Sequence, residues 1–157
     1  MGQNISLIIS KSIETEVPKE IPHLVKNGLL IIALENNEFS NFVFEILRSY
    51  KTNLNDYIEE NNFVQLVNKI KLKSFLGYHE SEWGMPVDIV YFAVMNSEIV
   101  IESIESLKIE ESDDQFIMIS DEKIDPRDIL EIDLSNIDYY HSYSDFKKIY
   151  DEKNNLD

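Results

Sequence analysis

The chain contains no cysteine, which excludes a disulfide framework, a thiolate metal site and a cysteine nucleophile together. Glycine is almost as scarce, with only Gly2, Gly28, Gly77 and Gly84 in 157 residues. Too few are present, and in the wrong places, to build a GxxxxGK[ST] phosphate loop, a GxGxxG turn or a GxSxG nucleophile elbow. The helical zinc signature HExxH is also missing, since His79 is followed by Glu80, Ser81 and Glu82. No apolar run approaches the roughly 20 residues that a bilayer crossing requires; the longest are LLIIAL at residues 29–34 and IVYFAVM at residues 89–95. The opening MGQNISLIIS lacks the basic leader and apolar region of a signal peptide, and a cytoplasmic location is the simplest expectation. MGQNIS fits the N-myristoylation pattern, which is short enough to recur by chance.

Positive charge is the next scarcity: 14 Lys and Arg stand against 30 Asp and Glu, a formal net charge of −16. The imbalance is local. Residues 1–78 carry eight basic and nine acidic side chains, whereas residues 79–157 carry six and twenty-one, so the halves differ as −1 and −15. A field of that sign repels nucleic-acid phosphates and anionic membranes and attracts cationic partners at long range. Direct nucleic-acid or membrane binding is therefore not expected, and a basic protein is. The densest stretch, residues 110–133, holds ten acids and two bases.

Length and a 43% share of hydrophobic residues suit one folded domain over 1–157, with the last few residues frayed. ISLIIS at residues 5–10 reads as a first strand. Pro18 and Pro22 break the following segment, and residues 24–28 read as one helical turn closed by Gly28. LLIIALE reads as a buried strand or a helix start. Phe39, Phe42, Val43, Ile46, Leu47 and Tyr50 recur at helical spacing, with Ser40 placed to cap them. Tyr57, Ile58, Phe63, Val67 and Ile70 predict one helix, or two short ones broken at Asn61-Asn62. Beyond the turn at Gly84 and Pro86, VDIVYFAVM predicts a central strand, followed by an edge or half-exposed strand in IVIESIESLKIEE (residues 99–111), where a helix using Ile101, Ile104 and Lys108 is the alternative, and by strands at QFIMIS (115–120) and at 130–134, arranged as an antiparallel meander. Phe146, Ile149 and Tyr150 predict a terminal helix starting near Ser144. The expected class is α+β: a helix-rich N-terminal half packed on a mainly antiparallel sheet formed largely by the C-terminal half.

On that map the acids fall in two connections at opposite ends of QFIMIS. The candidate partner-binding residues are Glu110, Glu111, Asp113, Asp114, Asp121, Glu122, Asp125 and Asp128, joined by Tyr139, Tyr140 and Tyr143, because tyrosines make strong interface anchors. A solvated face that merely maintains solubility explains the same acids. Metal binding fits poorly: an EF-hand counted from Asp121 puts Pro126 and Ile132 at its sixth and twelfth positions, and one counted from Asp113 puts Met118 and Ile124 there. No cofactor is implied. Asp88 is expected at the rim of its strand and Trp83 in the core. In size, charge and α+β character the chain resembles the small acidic bacterial immunity proteins that neutralise a cognate toxin, such as those of contact-dependent inhibition systems. That resemblance implies an inhibitor, not an enzyme, which occludes the active or substrate-binding surface of a basic, nuclease-like toxin domain. The alternatives are a small enzyme or metal-binding protein using His141 or His79 with acidic neighbours, and a nucleic-acid mimic.

Overall fold

The computed structural model describes residues 4–35, 42, 45, 51–59, 61–82, 87–100, 108–112, 115–119, 130–133 and 142–154. Eight strands form one sheet: β1 (Asn4–Ser10), β2 (His23–Lys26), β3 (Leu29–Leu34), β4 (Phe75–Glu82), β5 (Val87–Met95), β6 (Glu98–Val100), β7 (Lys108–Ser112) and β8 (Gln115–Ile119). The spatial order is β2-β3-β1-β4-β5-β8-β7, with β6 also pairing β5. Six strands, β1 to β6, are joined by antiparallel ladders. The β7–β8 hairpin is antiparallel within itself, but β8 lies parallel to β5, at Val90 and Met118. Helices α1 (Asn62–Lys69) and α2 (Tyr143–Lys153) accompany the sheet, together with a 3-10 helix at Leu54–Tyr57.

This arrangement overturns the expected class. The N-terminal half is strand-rich, supplying β1, β2, β3 and the first half of β4, and the sheet is not a C-terminal property. Three local reasons account for the difference. Residues 24–28 form no helical turn: Asn27 and Gly28 have φ of 54° and 77°, the left-handed pair of a two-residue type I′ hairpin loop, with Lys26 opposite Leu29. In β4, the face that places Phe75 in the core also carries Gly77 and His79, so a glycine and a histidine conceal the strand period. Leu130–Asp133 is a turn and not a strand, with Glu131 at φ 54°, and the meander fails because β8 joins β5 in parallel. The helix expected around residues 39–50 falls largely outside the described residues; Phe42 and Glu45, which are described, are helical. The first strand, the central strand, QFIMIS, the break at Asn61-Asn62 and a terminal helix starting near Ser144 are found as expected; that helix begins at Tyr143 and is capped by Ser142, whose Oγ accepts from Asp145 N.

Both faces of the sheet are covered around β3. In β3 all six residues are buried, Leu30, Ile32 and Leu34 on one face and Leu29, Ile31 and Ala33 on the other, which is why LLIIAL is a continuous apolar run and not an alternating one. The first face packs against Phe42, Leu54, Tyr57 and the Phe63, Val64 and Val67 side of α1. The second packs against Phe146 and Tyr150 of α2 and Ile132. The polar side chains of Ser6 and His79 are buried on the first face, where Ser6 Oγ and His79 Nδ1 hydrogen-bond at 2.8 Å. The β5–β6 loop repeats the type I′ geometry without glycine, at Asn96 and Ser97. It is held from both sides by Ser97 N–H donating to Lys73 O (2.9 Å) and Leu54 N–H donating to Ser97 O (2.7 Å).

Candidate functional site: an acidic cleft at the end of β3

The end of β3 is where the two cores meet. Ala33, Leu34 and Glu35 come between the first two turns of α1, which present Asn62, Phe63 and Leu66, and the first residue of α2, Tyr143. The segment Glu20–Pro22 closes the remaining side, leaving a cleft of about 240 Å³. Three tethers fix that segment. Tyr150 Oη donates to Lys19 O at 2.8 Å, His23 Nδ1 donates to Ile21 O at 2.8 Å, and Ala33 N–H donates to Pro22 O at 3.1 Å. The His23 ring also lies 5.1 Å from that of Tyr150. The terminal helix therefore positions a loop more than a hundred residues earlier in the chain.

Physical character divides the cleft in two. Ile21, Phe63 and Leu66 supply apolar wall, while Glu20, Glu35, Asn62 and the Tyr143 hydroxyl supply polar groups. Glu20 and Glu35 are exposed, and neither carboxylate has an ion-pair or hydrogen-bond partner among the described residues. Burial pushes the Tyr143 hydroxyl above the ordinary tyrosine value, and the neighbouring charge of Glu35 pushes it further the same way. It is therefore a neutral phenol at pH 7, able to donate and accept. Each helix start contributes at most about half a positive charge, less in sum than two carboxylates, so the mouth is net negative.

Of the candidate residues named from sequence, Tyr143 lies in this cleft. Glu110 and Glu111 are not in a connection: they are consecutive members of β7, opposite Ile117 and Phe116. Among the described residues β7 is the last strand of the sheet. Asp113, Asp114, Asp121, Glu122, Asp125, Asp128, Tyr139, Tyr140, His141 and Trp83 lie outside the described residues. Asp88 is the second residue of β5, opposite Ser81. His79 is 1% exposed, so its imidazole is not presented to a substrate from solvent. Among the described residues no group of three or more His, Asp or Glu is placed to hold a metal ion, and no helix is long and apolar enough to cross a membrane.

Sequence reasoning missed Glu20 and Glu35. A signal for Glu35 was present, because a carboxylate directly after six apolar residues must stand at the rim of the core. Glu20 had no such signal; its place depends on Tyr150. Comparison with protein-family models, with curated proteins and with solved structures finds no match to this chain.

The tether from Tyr150 is testable. Tyr150→Phe removes one hydrogen bond, with an expected cost of about 1 kcal/mol. Burial, then Asp151 and Glu20, raise the Tyr150 hydroxyl above 10.0. A folded-state pKa above the unfolded one means that its contribution is fully present below about pH 10 and is lost as pH rises through the folded value. Urea midpoints measured from pH 8 to 11 should fall on the alkaline side, and less steeply for Tyr150→Phe. Equal slopes would remove Tyr150 from that transition.

Proposed function

We propose that this chain is an acidic protein-binding module acting on a basic protein, and that it works as an inhibitor of the immunity kind, covering the active or substrate-binding surface of a cationic, nuclease-like toxin domain. The observation that carries the reading is the cleft beside Tyr143, in which Glu20 and Glu35 stand without cationic partners among the described residues, in a chain of net charge −16. A basic surface would supply the counter-charge. Long-range attraction would speed the encounter, and short-range pairing would hold the complex. The reading is of a binding protein and not an enzyme, with its partner met in the cytoplasm. The acids of residues 110–128 contribute the steering field, and Tyr139, Tyr140 and Tyr143 the apolar contact.

Two experiments bear on this. Tagged protein is used to capture partners from a lysate of the source organism at low and at moderate salt. One basic protein retained at moderate salt in a one-to-one complex supports the reading; many basic proteins lost together as salt rises point to charge alone. Once that partner is in hand, Asp113→Lys with Asp114→Lys is expected to slow association about tenfold at low salt and flatten its salt dependence, because reversal of rim charges acts on the encounter rate. An unchanged association rate would exclude those acids from the interface.

A further inference from the structure

The cleft at the end of β3 has the chemistry of a receptor for one side chain. We propose that it is a specific pocket for a single arginine or lysine side chain, which inserts its aliphatic stem against Phe63 and Leu66 and its charged head between Glu20 and Glu35. The inference rests on the reading of a basic partner and says where one of that partner's cations goes. Size supports it: about 240 Å³ is below the roughly 300–1,000 Å³ of sites that enclose a drug-sized ligand or cofactor, and suits one extended side chain. Composition supports it as well. Long basic side chains carry an apolar stem and a polar tip, and this cleft is lined both by the buried Phe63 and half-buried Leu66 and by the exposed carboxylates of Glu20 and Glu35. Asn62 and the Tyr143 hydroxyl add neutral acceptors for the remaining N–H groups of a guanidinium or ammonium.

The position is preorganised on three sides. Glu35 directly follows β3, Asn62 opens α1, and Glu20 sits on a segment fixed by Tyr150, His23 and Ala33. Ordering costs on binding then fall mainly on the incoming side chain, which favours recognition by a small, rigid set of contacts.

Isotope-labelled full-length protein is titrated with N-acetyl-arginine methylamide and N-acetyl-lysine methylamide, with the citrulline analogue as the neutral control, while backbone amide resonances are followed. The expected result is saturable shifts at Ala33, Glu35, Leu66 and Tyr143 with at least one cationic probe, at a dissociation constant on the order of 1–10 mM, as befits a ligand of that size. Citrulline should give none. Glu20→Gln with Glu35→Gln, both at exposed positions, should weaken binding at least tenfold while leaving the thermal midpoint in place. Seating a cation beside Tyr143 should also lower the midpoint of its absorbance titration. No saturable shift with either cation, equal shifts with citrulline, or undiminished binding by the double variant overturns the proposal. The two readings separate cleanly. A basic protein captured equally well by wild type and by the double variant leaves the partner and removes this pocket. Saturable cation binding with nothing basic captured leaves the pocket and removes the partner.

Discussion

Phe42→Ala is expected to lower the stability of the fold by about 3–5 kcal/mol, the largest effect of any single truncation considered for this chain. Phe42 is fully buried and makes edge-on contacts with Tyr57 at 5.3 Å and Phe63 at 4.8 Å, and a tilted contact with Phe92 at 5.2 Å. Removing it leaves a void between the sheet, the 3-10 helix and α1. Those partners come from three separate elements, so no single one can move in to fill the space. The loss includes three aromatic pairings, each worth about 0.5–1.5 kcal/mol beyond its buried area. Domains of this size are stable by about 5–15 kcal/mol in total, so the variant should approach the unfolding threshold. In urea the midpoint should fall by about 2 M at an unchanged slope. Phe42→Leu, which keeps most of the volume, should cost only about 1–2 kcal/mol. A loss below about 1 kcal/mol for the alanine variant would mean that Phe42 does not join the two elements to the sheet.

Gly77→Ala should also destabilise, although general propensity predicts the reverse. Alanine in a strand interior is better than glycine by about 0.5–1 kcal/mol. At this position, however, an added Cβ would overlap the ring of Phe92, the residue directly opposite in β5. That ring lies over the glycine and is held in place by Phe42, Phe63 and Phe75. Overpacking of this kind costs about 1–3 kcal/mol, at times more, so the clash wins and a net loss of about 2 kcal/mol is expected. The sign is the diagnostic. In a Phe92→Leu background the shorter side chain vacates the space, and Gly77→Ala should become neutral or stabilising. A double-mutant cycle in urea measures this as a coupling of about 2 kcal/mol; additive effects would show that the ring does not need the glycine.

The same pair explains why β4 was hard to read. A strand facing a core is recognised by alternating apolar residues, and β4 breaks the rule at Gly77 and His79. Both departures are answered by residues distant in sequence: Phe92 covers the first, and Ser6 hydrogen-bonds the second at 2.8 Å. The β2–β3 hairpin is a different case. Asn-Gly between two apolar runs is a hairpin signal in its own right, and reading it as a helix end mistook one left-handed glycine role for another. For the cleft, Tyr143 was named for its acidic, tyrosine-rich surroundings, and it does line the site. Glu20 and Glu35 were not named, because neither belongs to a dense run of acids.

By itself the sequence determined the exclusions and the local order. The lack of cysteine and the few glycines removed whole classes of chemistry. The strand periods of residues 5–10 and 87–95, and the break at Asn61-Asn62, follow from side-chain spacing within a few residues, which is where propensity and periodicity act. Net charge is likewise a property of composition. Only the tertiary structure decided that Phe75–Glu82 is a strand between β1 and β5, that β8 runs parallel to β5, and that Glu20, Glu35 and Tyr143 line one cleft. Each of those outcomes depends on contacts between residues far apart in the chain: Gly77 beneath Phe92, Val90 beside Met118, and Tyr150 holding the carbonyl of Lys19 across 131 positions. Such contacts form because burial rewards the whole assembly at once, and no window of neighbouring residues contains both partners.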